Sequence, residues 1–293
     1  MRKLISVALL SFASLSLSSN SFAEAPEFKK TETLAEQGNA TAQYQLALLY
    51  HKGEGVPVDV AQEFKWMTKS ATSGYAPAQY NLGVMYDNGQ GVSKDPVQAT
   101  KWIAKSAEQG FPLAQYILAI RFAQGNGTAK DMVQSAKWLT KAAEQGVPDA
   151  QYRLGLQYVA GQGVSQNLAT AVIWFNKAAD QGHSRAQYEL GVMYLTGEGV
   201  AKENSLAAKW FNNAAALGDP DAANNLALLY AKGTGVAVDY VLAYAWFNVA
   251  EANGDKVNAV RNRAIVAKKL TPAQLTEANK LSSNWKLGFS IKH

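Results

Sequence analysis

The side chains able to do covalent or metal chemistry are few in this chain, and they are scattered. Three histidines occur, His51, His183 and His293, and none has a second ligand at metal-binding spacing. There is no cysteine, so there is no thiol nucleophile and no disulfide. No Gly-x-Ser-x-Gly elbow is present. Six Gly-x-Gly pairs, from Gly53/Gly55 to Gly233/Gly235, resemble phosphate loops, but they lack the third glycine and the preceding strand. They read as turns. No catalytic, cofactor-binding or metal-binding residue is therefore expected, and the chain does not read as an enzyme. What remains is the chemistry of contact, and its geometry depends on the elements that carry it.

Those elements announce themselves through spacing. Trp66, Trp102, Trp138, Trp174, Trp210 and Trp246 stand 36 residues apart. The glycines Gly38, Gly74, Gly110, Gly146, Gly182, Gly218 and Gly254 keep the same step, as do Leu46 to Leu226 and Ala42 to Ala222. A period in this range marks stacked supersecondary units. Within one unit, Pro77, Ala78, Leu82, Gly83 and Tyr86 recur at helical spacing. The turn Asp87 to Gly91 ends that helix. Asp95 caps a second helix, Pro96 opens it and Gln98 completes a capping-box pattern. Asp59, Asp131, Asn167 and Asp239 repeat the cap, while Glu203-Asn204 departs from it. Each unit is a helical hairpin, which cannot bury its apolar face alone and must stack. A lane of small residues (Ala47, Gly83, Ala119, Gly155, Gly191, Ala227) lets helices approach, and the tryptophans are expected to fill the gap.

The ends have their own character. Arg2 and Lys3, a short apolar centre from Val7 to Leu15 and the small-x-small Ser21-Phe22-Ala23 predict a signal peptide over 1–23. An N-terminal capping helix follows over 24–37, the repeats fill 38–253, and 254–293 forms capping helices with a frayed tail from Ser290. Removal of Arg2 and Lys3 lowers the formal charge from +5 by two, too weakly basic to predict a nucleic-acid partner. No other segment is apolar enough to span a membrane. The expected address is the periplasm, with secretion as the alternative.

The motif Ala150-Gln151-Tyr152-Arg153-Leu154-Gly155, Tyr158, Gly161-Gln162-Gly163-Val164, with Trp138 and Lys141-Ala142-Ala143-Glu144-Gln145-Gly146, closely resembles the Sel1-like repeat family, relatives of the tetratricopeptide repeats. The resemblance runs through six units. It implies an all-α protein, a right-handed α/α superhelical solenoid of six 36-residue hairpins with terminal caps, used as an adaptor or scaffold with the first helices lining a concave groove.

Six copies in one chain can be compared with each other, and lanes that vary between them are read as free of packing. On the first helices this gives a stripe expected to bind: Gln45, Asn81, Met85, Ile117, Arg121, Arg153, Gln157, Glu189 and Met193. Arg121 and Arg153 are expected to be exposed and to attract an acidic segment of a protein or peptide partner. The second helices carry a lysine stripe, Lys65, Lys69, Lys101, Lys105, Lys137, Lys141, Lys177 and Lys209, which suits the alternative of an envelope polymer such as peptidoglycan or polysaccharide. Pairing of Lys105, Lys141 and Lys177 with Glu108, Glu144 and Asp180 would quench it.

Overall fold

The structure, a computed structural model, describes residues 26–291. The signal peptide expected over 1–23 and His293 lie outside the described residues. Fifteen helices and no strand make up the described residues. A lone α1 (Pro26–Glu36) precedes six hairpins: α2 (Ala40–Lys52) with α3 (Val60–Thr72), α4 (Ala76–Asn88) with α5 (Pro96–Glu108), α6 (Pro112–Gln124) with α7 (Met132–Glu144), α8 (Pro148–Ala160) with α9 (Leu168–Asp180), α10 (Ser184–Thr196) with α11 (Asn204–Ala216), and α12 (Pro220–Lys232) with α13 (Tyr240–Ala252). A seventh, irregular hairpin of α14 (Asn258–Ala267) and α15 (Pro272–Ser283) packs on α13 and closes the array.

The capping chemistry explains the repeat boundaries. Asp59, Asp95, Asp131, Asn167 and Asp239 accept backbone N–H groups of the following turn, whereas Glu203 makes no such bond. Gln98 does not complete a capping box, because the Asp95 N–H that it would serve already donates to the Tyr86 carbonyl at 2.9 Å. That bond recurs in every unit, from Asp59 to Tyr50 through Asp239 to Tyr230, and ties each second helix to the end of its first.

Packing corrects the role given to tryptophan. The residue that meets the small lane is the one after it: Met67, Ile103, Leu139, Phe175, Phe211 and Phe247, all essentially inaccessible. A Cβ at Gly83 would lie 2.6 Å from Ile103 Cγ1, and one at Gly155 2.5 Å from Phe175 Cε1. The tryptophans sit beside this lane. Trp66, Trp138 and Trp246 are buried, and Trp102, Trp174 and Trp210 are half-buried. Four of them are covered by the lysine one turn on, with Nζ of Lys69, Lys105, Lys141 and Lys177 at 4.0–4.4 Å from the ring centroid. These four lysines are thus held by cation–π contact, and among the described residues no ion pair joins Lys105, Lys141 or Lys177 to the acids expected to quench them.

Neighbouring units are sewn together by a glutamine lane. Nε2 of Gln43, Gln79, Gln115, Gln151 and Gln187 donates to the carbonyl eight residues earlier, at 3.0–3.2 Å. In the middle units the free oxygen then accepts from Gln109, Gln145 or Gln181 of the following turn, at 2.7–2.8 Å. Ser73 and Leu217 stand at that position at the two ends, and there the buried Oε1 of Gln43 and Gln187 has no partner. An unsatisfied buried acceptor costs about 1–3 kcal/mol. Ser73→Gln should therefore raise stability by about 1 kcal/mol in urea melts, and no gain would show that water serves the site equally well.

The tail does not fray at Ser290. It folds back along the second helices: Gly288 N–H donates to the Ala216 carbonyl at 2.7 Å, Ser290 bonds Asn212, and Ile291 is buried. The sequence from Gly254 lacks the repeat's period, so a return strap to the fifth unit was not readable from it.

Candidate interaction face

The first helices present one face built from three positions per unit. The first is the residue capping the helix: Asn39, Tyr75, Phe111, Val147, His183 and Asp219. The second is a tyrosine, half-buried in each of the first five units: Tyr44, Tyr80, Tyr116, Tyr152 and Tyr188. The third is the lane Gln45, Asn81, Ile117, Arg153, Glu189 and Asn225, exposed or half-buried throughout. The cap residue meets the tyrosine ring of the unit before: Tyr75 edge-on to Tyr44 at 5.4 Å, Phe111 tilted against Tyr80 at 5.5 Å, and His183 stacked on Tyr152 at 4.6 Å. Burial pushes the five phenols above their ordinary titration range.

Five of the nine residues expected to bind lie on this face: Gln45, Asn81, Ile117, Arg153 and Glu189. The other four do not. Met85, Arg121, Gln157 and Met193 are only 3–7% exposed, because their lane faces the second helix of the preceding unit. Arg121 is the clearest correction. Its Nε donates to Thr100 Oγ1 at 2.7 Å, its Nη2 to the Pro96 carbonyl at 2.8 Å, and its fork grips Asp87. Gln157 likewise donates to the buried Ser135 at 3.1 Å.

Two positions escaped the sequence reading. The tyrosines were legible as a lane of period 36, but a constant lane reads as core. The cap lane varies from Asn39 to Asp219, and that variation was a usable sign. The structure brings the two together with the third lane. Asn81 Nδ2 donates to the Tyr44 hydroxyl at 2.9 Å, and Arg153 Nε to the Tyr116 hydroxyl at 2.9 Å. Each bond spans 37 residues.

Charge gathers in units four to six. Arg185 pairs with Asp221 at 2.7 Å and Asp219 at 3.4 Å. His183 accepts the Ala186 N–H through Nδ1 at 3.2 Å, so its proton sits on Nε2, 3.6 Å from Asp149. The hydrogen bond from His183 holds the Asp149 carboxyl below its ordinary range. Burial pushes Asp219 up, partly offset by the Ala222 N–H and Arg185. Burial also raises Glu189, with Arg185 pulling down and Asp219 adding to the rise. No ion pair or hydrogen bond reaches Glu189 among the described residues. No group of three or more His, Asp or Glu side chains able to hold a metal stands among them either.

The Glu189 shift makes a stability prediction. A carboxyl whose folded pKa is raised binds its proton more tightly in the folded state. Its stabilising contribution is complete below the unfolded value and is lost as pH rises through the folded one. At neutral pH the charged group is therefore a burden, and Glu189→Gln should raise the melting temperature. The gain should vanish by about pH 3, well below the ordinary Glu value of about 4.3, where both states are protonated. A pH-independent effect would mean that packing, not charge, separates the two side chains.

Comparison with known proteins completes the picture. The Sel1 repeat matches six times in succession, at 40–75, 76–111, 112–147, 148–183, 184–219 and 220–255. None of the curated proteins compared with the chain is similar to it. Among solved structures, it is similar to c5321, a protective antigen present in uropathogenic Escherichia coli strains and displaying an SLR fold: 34% identity, TM-score 0.79, covering 87% of this chain and 56% of that one. A Sel1 repeat protein from Oxalobacter formigenes is 33% identical, with TM-score 0.63, over 77% of this chain and 99% of the other. The chain thus spans little more than half the length of the E. coli antigen. No described helix is long and apolar enough to cross a membrane.

Proposed function

This chain belongs to the Sel1 repeat family, and we propose that it is an exported adaptor that holds a protein segment along its first-helix face. Sel1 repeat proteins generally mediate protein–protein interaction and are typically non-enzymatic scaffolds. One observation carries the reading for this chain. The lanes of Gly38 to Gly254, Ala42 to Ala222 and Leu46 to Leu226 that set the frame are constant, and the lanes that vary at the joints between units are buried, whereas the cap and outer lanes of the first helices change chemistry from unit to unit and are left partly open. A surface built on a rigid, regular frame but differing at each step suits recognition of one partner in one register.

Export is the second part of the proposal. It rests on Arg2, Lys3, the apolar centre and the Ser21-Phe22-Ala23 site. The protective-antigen character of the E. coli relative supports an accessible address, in the periplasm or beyond it. Mass spectrometry of the protein from an envelope fraction should find an N-terminus at Glu24.

Crosslinking in living cells tests the adaptor. Photo-reactive residues at 117 and 153 should capture a discrete protein, and one at the exposed Val133 on a second helix should not. Capture of a heterogeneous polymer, preferentially at second-helix positions and steeply weakened by salt, would replace the adaptor with the envelope-polymer reading.

A further inference from the structure

Successive boundaries along the first-helix face alternate between closed and open. Where the outer-lane residue meets the tyrosine of the unit before, three boundaries offer the hydroxyl a donor. Asn81 bonds Tyr44, Arg153 bonds Tyr116, and Asn225 lies near enough to Tyr188 to offset part of the rise that burial gives its phenol. The two between them do not. At the second-to-third boundary the outer-lane residue is Ile117, which has no polar atom to offer. The Tyr80 hydroxyl has no hydrogen-bond partner among the described residues, and its ring lies against Phe111. At the fourth-to-fifth boundary the residue is Glu189, beside Tyr152, half-buried and with no ion pair or hydrogen bond among the described residues, Arg185 acting on it only at a distance. Arg185, the nearest cation on the same helix, is engaged by Asp219 and Asp221. Arg121, the charge that would have made the face basic, is buried in the core.

We propose that these two openings are paired subsites for one extended peptide segment, which sets a large apolar side chain on Tyr80, Phe111 and Ile117 and a lysine or arginine on Glu189. The inference rests on the adaptor reading and adds the partner's chemistry and register. A partly desolvated carboxylate without a partner gains most from a cation that brings its own donors. An aromatic–aliphatic cup with one free hydroxyl takes an apolar side chain and can donate to a backbone carbonyl beside it. The openings are two units apart. First helices packed at about 10 Å per unit place them roughly 20 Å from each other, the span of about six residues of extended chain. The required ligand is thus basic, the opposite sign from the acidic segment that the arginines suggest in sequence.

A phage-displayed library of random dodecapeptides, selected on the purified full chain, supplies the probe. Enriched peptides are then synthesised with a fluorophore and titrated against wild type, Glu189→Gln, Ile117→Ser and, on the exposed side of a second helix, Val133→Ser, each checked for helix content. The expected result is a Lys or Arg spaced about five to seven residues from a large apolar residue. Glu189→Gln and Ile117→Ser should each weaken binding about tenfold or more, with Val133→Ser neutral. Enrichment of acidic peptides whose binding is lost in Arg153→Ala overturns the inference and leaves the adaptor standing. Failure to enrich any peptide also overturns it, while cellular crosslinking to a folded partner would still support the adaptor. Loss of both crosslinking and peptide binding removes the adaptor itself.

Discussion

Gly163→Ala is expected to destabilise the protein by about 3–5 kcal/mol, whereas Gly161→Ala, two residues away, should cost about 1–2 kcal/mol. Both glycines have positive φ, 75° and 65°, so both substitutions carry the same left-handed strain. They differ in what the new methyl group meets. At Gly161, the C-cap of α8, the nearest atom is Gln166 Cβ at 3.4 Å. At Gly163 it is the Met132 carbonyl oxygen, 1.9 Å away in the first residue of α7. The second glycine of the pair is therefore the point at which one unit's turn rests on the backbone of the unit before. Gly127 on Pro96 and Gly235 on Asn204 repeat the contact at 2.0 and 2.2 Å. Urea denaturation of the two variants isolates the contact, because strain cancels in the difference. Equal losses would show that the turns do not bear on the stack.

That contrast shows what could and could not be read from the chain. The period of Trp66 to Trp246, the caps at Asp59 to Asp239 and the glycine ends were legible, because each is a local consequence of backbone geometry. A hairpin needs a left-handed stop and a capped start. The difference between Gly161 and Gly163 was not legible, since it depends on which neighbouring backbone approaches. The same holds for Trp102 and Ile103. Trp102 recurs unchanged every 36 residues and Ile103 as a large apolar residue, and only stacking decides that Ile103 fills the groove over Gly83 while Trp102 lies beside it under Lys105.

The candidate face was partly legible in sequence, and the rest is instructive. Variation between copies reads as exposure. Gln45, Asn81, Ile117, Arg153 and Glu189 are indeed exposed or half-buried. Met85, Arg121, Gln157 and Met193 are buried, because their lane varies in step with its partners. Arg121 comes with Asp87 and Thr100, Gln157 with Ser135, and Met193 with the apolar Val159 and Val172 packed into its cluster. Each boundary solves one volume with a different matched set. A single lane read alone cannot distinguish such compensation from exposure, whereas the paired lanes could have done so.

Compensation of this kind has a direct test, with a large expected effect. Arg121→Ala should cost about 2–3 kcal/mol, since it takes the charged donor from the half-buried Asp87 and one of the donors from the Pro96 carbonyl. Arg121→Glu should be worse, placing two carboxylates together. Arg153→Glu, on the open face, should change stability by no more than about 0.5 kcal/mol. The fourth-to-fifth boundary supplies the repair. There the positions of Arg121, Asp87 and Thr100 are held by Met193, Val159 and Val172. The triple change Arg121→Met, Asp87→Val, Thr100→Val should recover stability to within about 1 kcal/mol of wild type, because removing every partner of a buried polar network costs far less than removing one. Measured in urea against the three single variants, a triple no more stable than the sum of its parts would mean that the boundaries are not interchangeable. Recovery would show that Arg121 serves the joint between units. The outer lanes would then be the only part of the first helices left for recognition, and the repaired protein should bind its peptide as the wild type does.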